Sequence, residues 1–123
     1  MISRWSIDIA YVSDWLHSLD RGSHEQVIAA LELLRHKGPA LGRPFVDSVA
    51  GSKHSNMKEL RPGSTGTSEL RLLFVFDPRR RAIILVGGDK RGIWTKWYRQ
   101  NIQLADSRFD EHLRSIGKES DHG

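Results

Sequence analysis

Two apolar stretches joined by a short polar turn restrict this chain more than any other feature. Residues 70–76 (Leu-Arg-Leu-Leu-Phe-Val-Phe) and 82–86 (Ala-Ile-Ile-Leu-Val) flank Asp77-Pro78-Arg79-Arg80. Runs of this length, rich in β-branched and aromatic residues and bounded by turn residues, are strands of a hairpin. Alternation puts Leu70, Leu72, Phe74 and Phe76 on one face and Arg71, Leu73 and Val75 on the other. Strands apolar on both faces belong in the centre of a sheet. Gly87-Gly88 is expected to end the second strand and to let the backbone come close to another group.

The remaining pattern places elements around this hairpin. With 123 residues the chain is one domain. Trp5 to Tyr11 alternates as a half-buried first strand, and Ser13 opens a short helix carrying Trp15, Leu16 and Leu19, broken at Asp20-Arg21-Gly22. Ser23 and Gln26 have capping-box spacing, followed by Val27, Ile28, Leu31 and Leu34 on one helical face. Arg35, His36 and Lys37 suit the helix C-terminus, and Gly38-Pro39 stops it. Phe45 to Val49 and Met57 to Arg61 supply two more strands, and 63–68 is a turn. Thr95 to Asn101 and a second piece bearing Ala105, Phe109, Leu113 and Ile116 are helical. Gly117 ends the second piece and leaves 118–123 as a frayed tail. The expected fold is α+β in the order β-α-α-β-β-β-β-α, with two N-terminal helices on a small antiparallel sheet, a C-terminal helix, and the helices gathered on one face. Residues 1–117 form its single domain.

Several classes of chemistry are excluded or weakly supported. There is no cysteine, which removes disulfides, thiolate metal sites and cysteine nucleophiles. No apolar run approaches the length of a membrane span, and the N-terminus lacks a secretory signal, so a cytoplasmic protein without membrane attachment is expected. The six histidines lack metal-ligand spacing, and residues 63–68 lack the Gly-Lys-Ser/Thr ending of a phosphate loop. No metal or other cofactor is expected. Glu59, Glu69, Asp77 and Asp89 look like isolated partners for nearby bases rather than a catalytic carboxylate pair.

Charge is distributed unevenly. The net formal charge is +4, but residues 53–99 carry eleven Lys/Arg against four Asp/Glu, while the flanking segments are slightly acidic. Such a basic middle third is a footprint for a polyanion. Its cations lie at strand ends: Lys53, His54, Lys58 and Arg61 before Pro62, Lys90 and Arg91 after the glycine pair, and Lys96 and Arg99 among Trp94, Trp97 and Tyr98. Arg71 stands apart, a charge in a half-buried strand that requires Glu59, Glu69 or an anionic ligand as partner. Trp94, Trp97 and Tyr98 cannot all face one core, so at least one is available to stack on a base. A basic cluster without metal suits RNA cleavage by the substrate's own 2′-OH. That reaction needs a base, an acid and positive charge for the transition state.

Taken in order, Met57-Lys58-Glu59-Leu60-Arg61-Pro62-Gly63, Glu69-Leu70-Arg71-Leu72-Leu73-Phe74, Phe76-Asp77-Pro78, Gly88-Asp89-Lys90 and Trp97-Tyr98-Arg99 resemble the phage-derived branch of the RelE/HigB toxins. Gly38 to Pro44 and Arg108 to Leu113 fit the same branch, so the resemblance spans about residues 5–117. It implies the toxin of a type II toxin–antitoxin pair, a small α+β endoribonuclease that cuts messenger RNA, usually on the ribosome. A helix-turn-helix antitoxin would neutralise it, and the complex would bind operator DNA through that antitoxin. By position, the resemblance implies that Arg61, Arg71 and Lys90 contact the scissile phosphate and that Tyr98 or Lys58 moves protons. His54 is the alternative base, because Met57 and Glu59 occupy places that some relatives fill with lysine. Lys53, His54, Arg91, Lys96, Trp97 and Arg99 are the candidate RNA contacts. The competing expectation is a non-catalytic module that serves only as antitoxin partner or corepressor.

Overall fold

A computed structural model describes residues 4–64 and 66–121, with side chains to residue 117. Its elements are β1 (Ser6–Asp8), α1 (Ser13–Ser18), α2 (Arg21–Lys37), β2 (Val46–Ser48), β3 (Lys58–Leu60), β4 (Leu70–Phe76), β5 (Arg81–Asp89) and α3 (Trp94–Asp121). The five strands lie in the order β1-β5-β4-β3-β2. Strands β2 to β5 pair antiparallel, and β1 adds to β5 in parallel at the far edge. The α+β architecture and the element order agree with the sequence reading, and the hairpin β4–β5 sits in the interior of the sheet as its two-sided pattern requires. Among the described residues, no helix is long and apolar enough to cross a membrane.

The helices do not share one face. One core joins Leu16, Val27, Leu31 and Leu34 from α1 and α2 to Leu60, Leu70, Leu72, Phe74, Ala82 and Ile84. A second core joins Trp97, Ile102, Ala105 and Phe109 of α3 to Met57, Leu73, Val75, Ile83, Leu85 and Val86. The expectation of one-sided helices underweighted its own observation: strands apolar on both faces need cover on both. Each fully buried aliphatic side chain contributes about 1.5–3 kcal/mol, so both layers are needed for stability.

A bulge in the central hairpin sets which residue faces which layer. Leu73 pairs with Val86 but Phe74 pairs with Ile84, so Leu85 has no counterpart on β4. Leu85 and Val86 consequently both enter the α3-side core. The extra residue inverts the alternation beyond it. Gly87 then meets α1, and Gly88 meets α3. Gly87-Gly88 does not end β5, which continues to Asp89. A Cβ on Gly87 would lie 2.4 Å from Trp15, and one on Gly88 would lie 2.6 Å from Trp97. The groups that the glycines approach are therefore two tryptophans, one on each side of the sheet.

Local details also differ from the pattern: the first strand ends at Asp8, and Ala10–Val12 forms a 3-10 turn instead of continuing it to Tyr11. The N-cap of α2 is Asp20, whose carboxylate accepts from the Ser23 amide, so Ser23 lies inside the first turn rather than capping it. Asp is as good a cap as Ser, and capping three residues earlier adds nearly a turn of helix. Ile28 is exposed, because Ala30 rather than Ile28 completes the buried face with Val27, Leu31 and Leu34. The C-terminal helix is one continuous element through Gly117 to Asp121, since a lone glycine costs only about 1 kcal/mol within a helix held by packing.

Candidate functional site

Strand β3 has only three residues, and their register divides its charges. Lys58 and Leu60 pair with Phe74 and Leu72 and share their face, while Glu59 pairs with Leu73 and faces α3. Asp47 of β2 pairs directly with Glu59, so two carboxylates stand side by side on the α3 face. Like charges in cross-strand pairs repel unless a cation intervenes. Arg61 supplies it, placing Nε 3.2 Å from Glu59 Oε2 and a terminal nitrogen 3.2 Å from Asp47 Oδ2. Arg43 adds a contact of 3.2 Å to Asp47.

Glu59 is the hub of the arrangement. Its side chain is 5% exposed and accepts the Tyr98 hydroxyl at 2.7 Å on Oε1 and 3.0 Å on Oε2. Arg71 approaches from β4, where its cross-strand partner is Gly88, a residue with no side chain to compete for space. Arg71 Nε lies 3.5 Å from Glu59 Oε2, yet it is buried and makes no hydrogen bond. The contact is therefore an ion pair with a buried carboxylate rather than a short hydrogen bond. Another Arg71 nitrogen donates to the Leu70 carbonyl at 2.8 Å, fixing the direction of the guanidinium.

Lys90 completes the group from the end of β5. Its backbone amide donates to Glu69 O at 3.1 Å. The residue is 4% exposed, and its ammonium sits 3.4 Å from the Trp94 ring centre and 5.3 Å from that of Tyr98. Burial and the neighbouring Arg71 cation push the ammonium below the usual lysine range. Burial, followed by the hydrogen bond to Glu59, pushes the Tyr98 hydroxyl up to about 12. Tyr98 therefore stays protonated in the neutral range and acts as a donor. A groove of about 310 Å³ lined by Ser48, Val49, Ala50, Glu59 and Tyr98 opens beside this group.

The structure thus gathers Arg61, Arg71, Lys90 and Tyr98 around one carboxylate, and it places the other sequence candidates elsewhere. Lys58 projects from the opposite face of β3. Lys53 and His54 are held on α3 by Asp110: the Lys53 ammonium pairs with one oxygen, and His54 Nε2 lies 2.9 Å from the other. His54 also packs edge-on against Phe109. Asp110 is twelve residues beyond Tyr98, about 18 Å along the helix axis, so His54 is not positioned to serve as base at this cluster. Arg91 contacts Thr67, and its amide donates to Asp89. Trp97 is 5% exposed and belongs to the core over Gly88, so it offers no surface for stacking. Lys96 and Arg99 are exposed on the first turns of α3.

Glu59 is the partner for nearby bases that the sequence reading expected, serving Arg61 and Arg71 together. Its signal was the demand of Arg71 for a buried counter-charge. A second buried carboxylate, Asp77, also recruits α3: it pairs with His112 Nε2 at 2.9 Å and Arg81 Nε at 3.0 Å.

Comparison with known proteins adds an independent observation. The family model described as phage derived protein Gp49-like (DUF891) matches residues 14–110. A Mycobacterium tuberculosis protein carrying the toxin name HigB2 is 57% identical over 109 residues, covering 89% of this chain and 54% of that protein. A second from the same organism, carrying the toxin name HigB3, is 49% identical over 104 residues, covering 85% of this chain and 89% of its own length. The chain spans about half the length of the first relative and most of the second.

Proposed function

The chain belongs to the phage-derived Gp49-like family, in its HigB-like branch, and from that membership we propose that it is the toxin of a type II toxin–antitoxin module. In this reading it is a metal-independent endoribonuclease that cuts messenger RNA on ribosomes in the cytoplasm and thereby stops translation. Its expected partners are a helix-turn-helix antitoxin and, through that antitoxin, operator DNA. The observation that carries the reading is the convergence of Arg61, Arg71 and Tyr98 on Glu59, with the Lys90 ammonium 5.3 Å from the Tyr98 ring centre.

The chemistry follows from those positions. The substrate 2′-oxygen attacks the adjacent phosphorus, forming a 2′,3′-cyclic phosphate as the bond to the 5′-oxygen breaks. Arg61 and Arg71 hold the phosphate and balance the charge that develops on its oxygens. Glu59 is the carboxylate best situated to take the 2′-OH proton. Tyr98, held protonated, donates a hydrogen bond, and Lys90, with its lowered pKa, supplies the proton that the 5′-oxygen needs. If the ribosome orients the RNA, much of the rate comes from positioning, and activity on free RNA is correspondingly low.

Induction in a bacterial host with mapping of messenger RNA 5′ ends tests the proposal. Wild type should arrest growth and generate new ends within coding regions, and Arg71→Ala and Glu59→Gln should do neither. Arrest that persists equally in all three, with intact messages, would remove the enzyme reading and leave an inhibitor that acts by binding.

A further inference from the structure

Segment 90–99 (Lys-Arg-Gly-Ile-Trp-Thr-Lys-Trp-Tyr-Arg) holds four cations and no carboxylate. It also bears two of the large apolar side chains most open to water, Ile93 at 47% and Trp94 at 53% exposure. An aromatic ring of this size left in solvent at the start of a helix forfeits burial that the core could have provided. Its neighbour Trp97 makes the opposite choice and is buried. Trp94 is nonetheless fixed, because the Lys90 ammonium covers its ring at 3.4 Å and is itself anchored through the Lys90 amide to Glu69 O.

We infer that Trp94 is a stacking platform for a nucleobase of single-stranded RNA next to the scissile phosphate. This rests on the endoribonuclease reading and extends it from the phosphate to the base beside it. The Lys90 ammonium lies between the rings of Trp94 and Tyr98, so a phosphate at the Tyr98 end and a base on Trp94 belong to neighbouring nucleotides. Every base presents a π-face, and stacking on an aromatic side chain tolerates any sequence. The surrounding Arg91, Lys96 and Arg99 attract the phosphodiester backbone. Of Trp94, Trp97 and Tyr98, at least one of which the sequence leaves available for stacking, Trp94 is the one that the core does not use.

The experiment measures binding of a short 2′-O-methyl oligoribonucleotide, which lacks the attacking hydroxyl, by fluorescence anisotropy at fixed salt. The protein variants are wild type, Trp94→Ala, Trp94→Phe and Ile93→Ala, and a fully abasic phosphate chain of equal length is the second probe. Trp94→Ala should weaken the oligonucleotide by about 5- to 150-fold while leaving the abasic chain within about two-fold, and Trp94→Phe should recover most of the loss. Ile93→Ala should change neither. Equal affinities of wild type and Trp94→Ala, a matching loss in Ile93→Ala, or failure of wild type to bind the oligonucleotide each overturns the platform. Cleavage of a reporter message in a translation extract, run in parallel with wild type, shows separately whether the endoribonuclease reading stands.

Discussion

Two buried carboxylates reach the same helix in opposite ways. Glu59, on β3, takes its hydrogen bonds from side chains alone: Tyr98 of α3 and Arg61, with Arg71 close by. Asp77, at the end of β4, binds His112 of α3 and Arg81, and it also accepts the backbone amides of Arg79 and Arg81 at 2.9 Å. Backbone donors cannot swing away, so Asp77 has a closed shell and fixes the hairpin to α3. The donors around Glu59 are side chains beside an open groove, and in the proposed reaction a substrate phosphate competes for them. One carboxylate ties a hairpin to a helix; the other gathers cations, which under the proposed function are there for a ligand.

The largest test of this division is reciprocal. Arg71→Lys, which keeps a cation beside Glu59, should lower cleavage by about 10²–10³-fold and shift the urea midpoint far less than loss of Asp77 does. Asp77→Ala should instead cost about 3–5 kcal/mol of stability, since it strips a buried pair of one partner, with cleavage by the folded fraction retained. A folded Asp77→Ala protein that is fully stable but inactive would erase the distinction. The glycine pair offers a finer version. Alanine at either position should cost about 1–3 kcal/mol by overpacking, measured by thermal melting. Gly88→Ala should also reduce cleavage, because it displaces Trp97, which packs edge-on against Tyr98 with ring centres 5.2 Å apart. Gly87→Ala, against Trp15 on the other face, should leave cleavage by the folded protein intact.

The smallest effects are in pH dependence, and Asp77 and Tyr98 should mark opposite ends of the scale. Burial raises the pKa of Asp77, but hydrogen bonds from His112 and Arg81 outweigh it and hold the carboxyl below its usual value. Its stabilisation is therefore full above the ordinary carboxylate range near about pH 4 and is lost as pH falls further. Tyr98, raised to about 12, contributes stability that is full below about pH 10 and declines as pH climbs toward its folded value. Asp77→Asn should remove its share of the acid-side slope alone. Glu59→Gln should shift the Tyr98 ultraviolet titration downward, and an unmoved midpoint would mean that Glu59 does not control that hydroxyl.

Much of the fold was legible because its signals are local. The β4–β5 hairpin, the stop at Gly38-Pro39 and the apolar stripe of α3 follow from alternation, turn residues and helical spacing within a few residues. The bulge at Leu85 was not legible, since both neighbours are aliphatic and either phase buries them. The placement of helices on both faces, by contrast, was implied by the hairpin's two apolar faces. Within the site, Arg71 stood out as a charge needing a partner, but the sequence left Glu59, Glu69 and a ligand as equals. Lys53, His54 and Lys58 looked similar to Arg61 in composition, and only strand parity and the carboxylate of Asp110 separate them.

The sequence by itself determined an α+β chain with a doubly apolar hairpin, a basic middle third and the ordered motifs of its family. Tertiary structure alone decided which of those cations act together. The pair that organises the site, Tyr98 and Glu59, is separated by 39 residues, and its meeting depends on sheet register, one inserted residue and a glycine that lets Trp97 approach. Those are properties of packing between segments, to which local propensity and composition are blind.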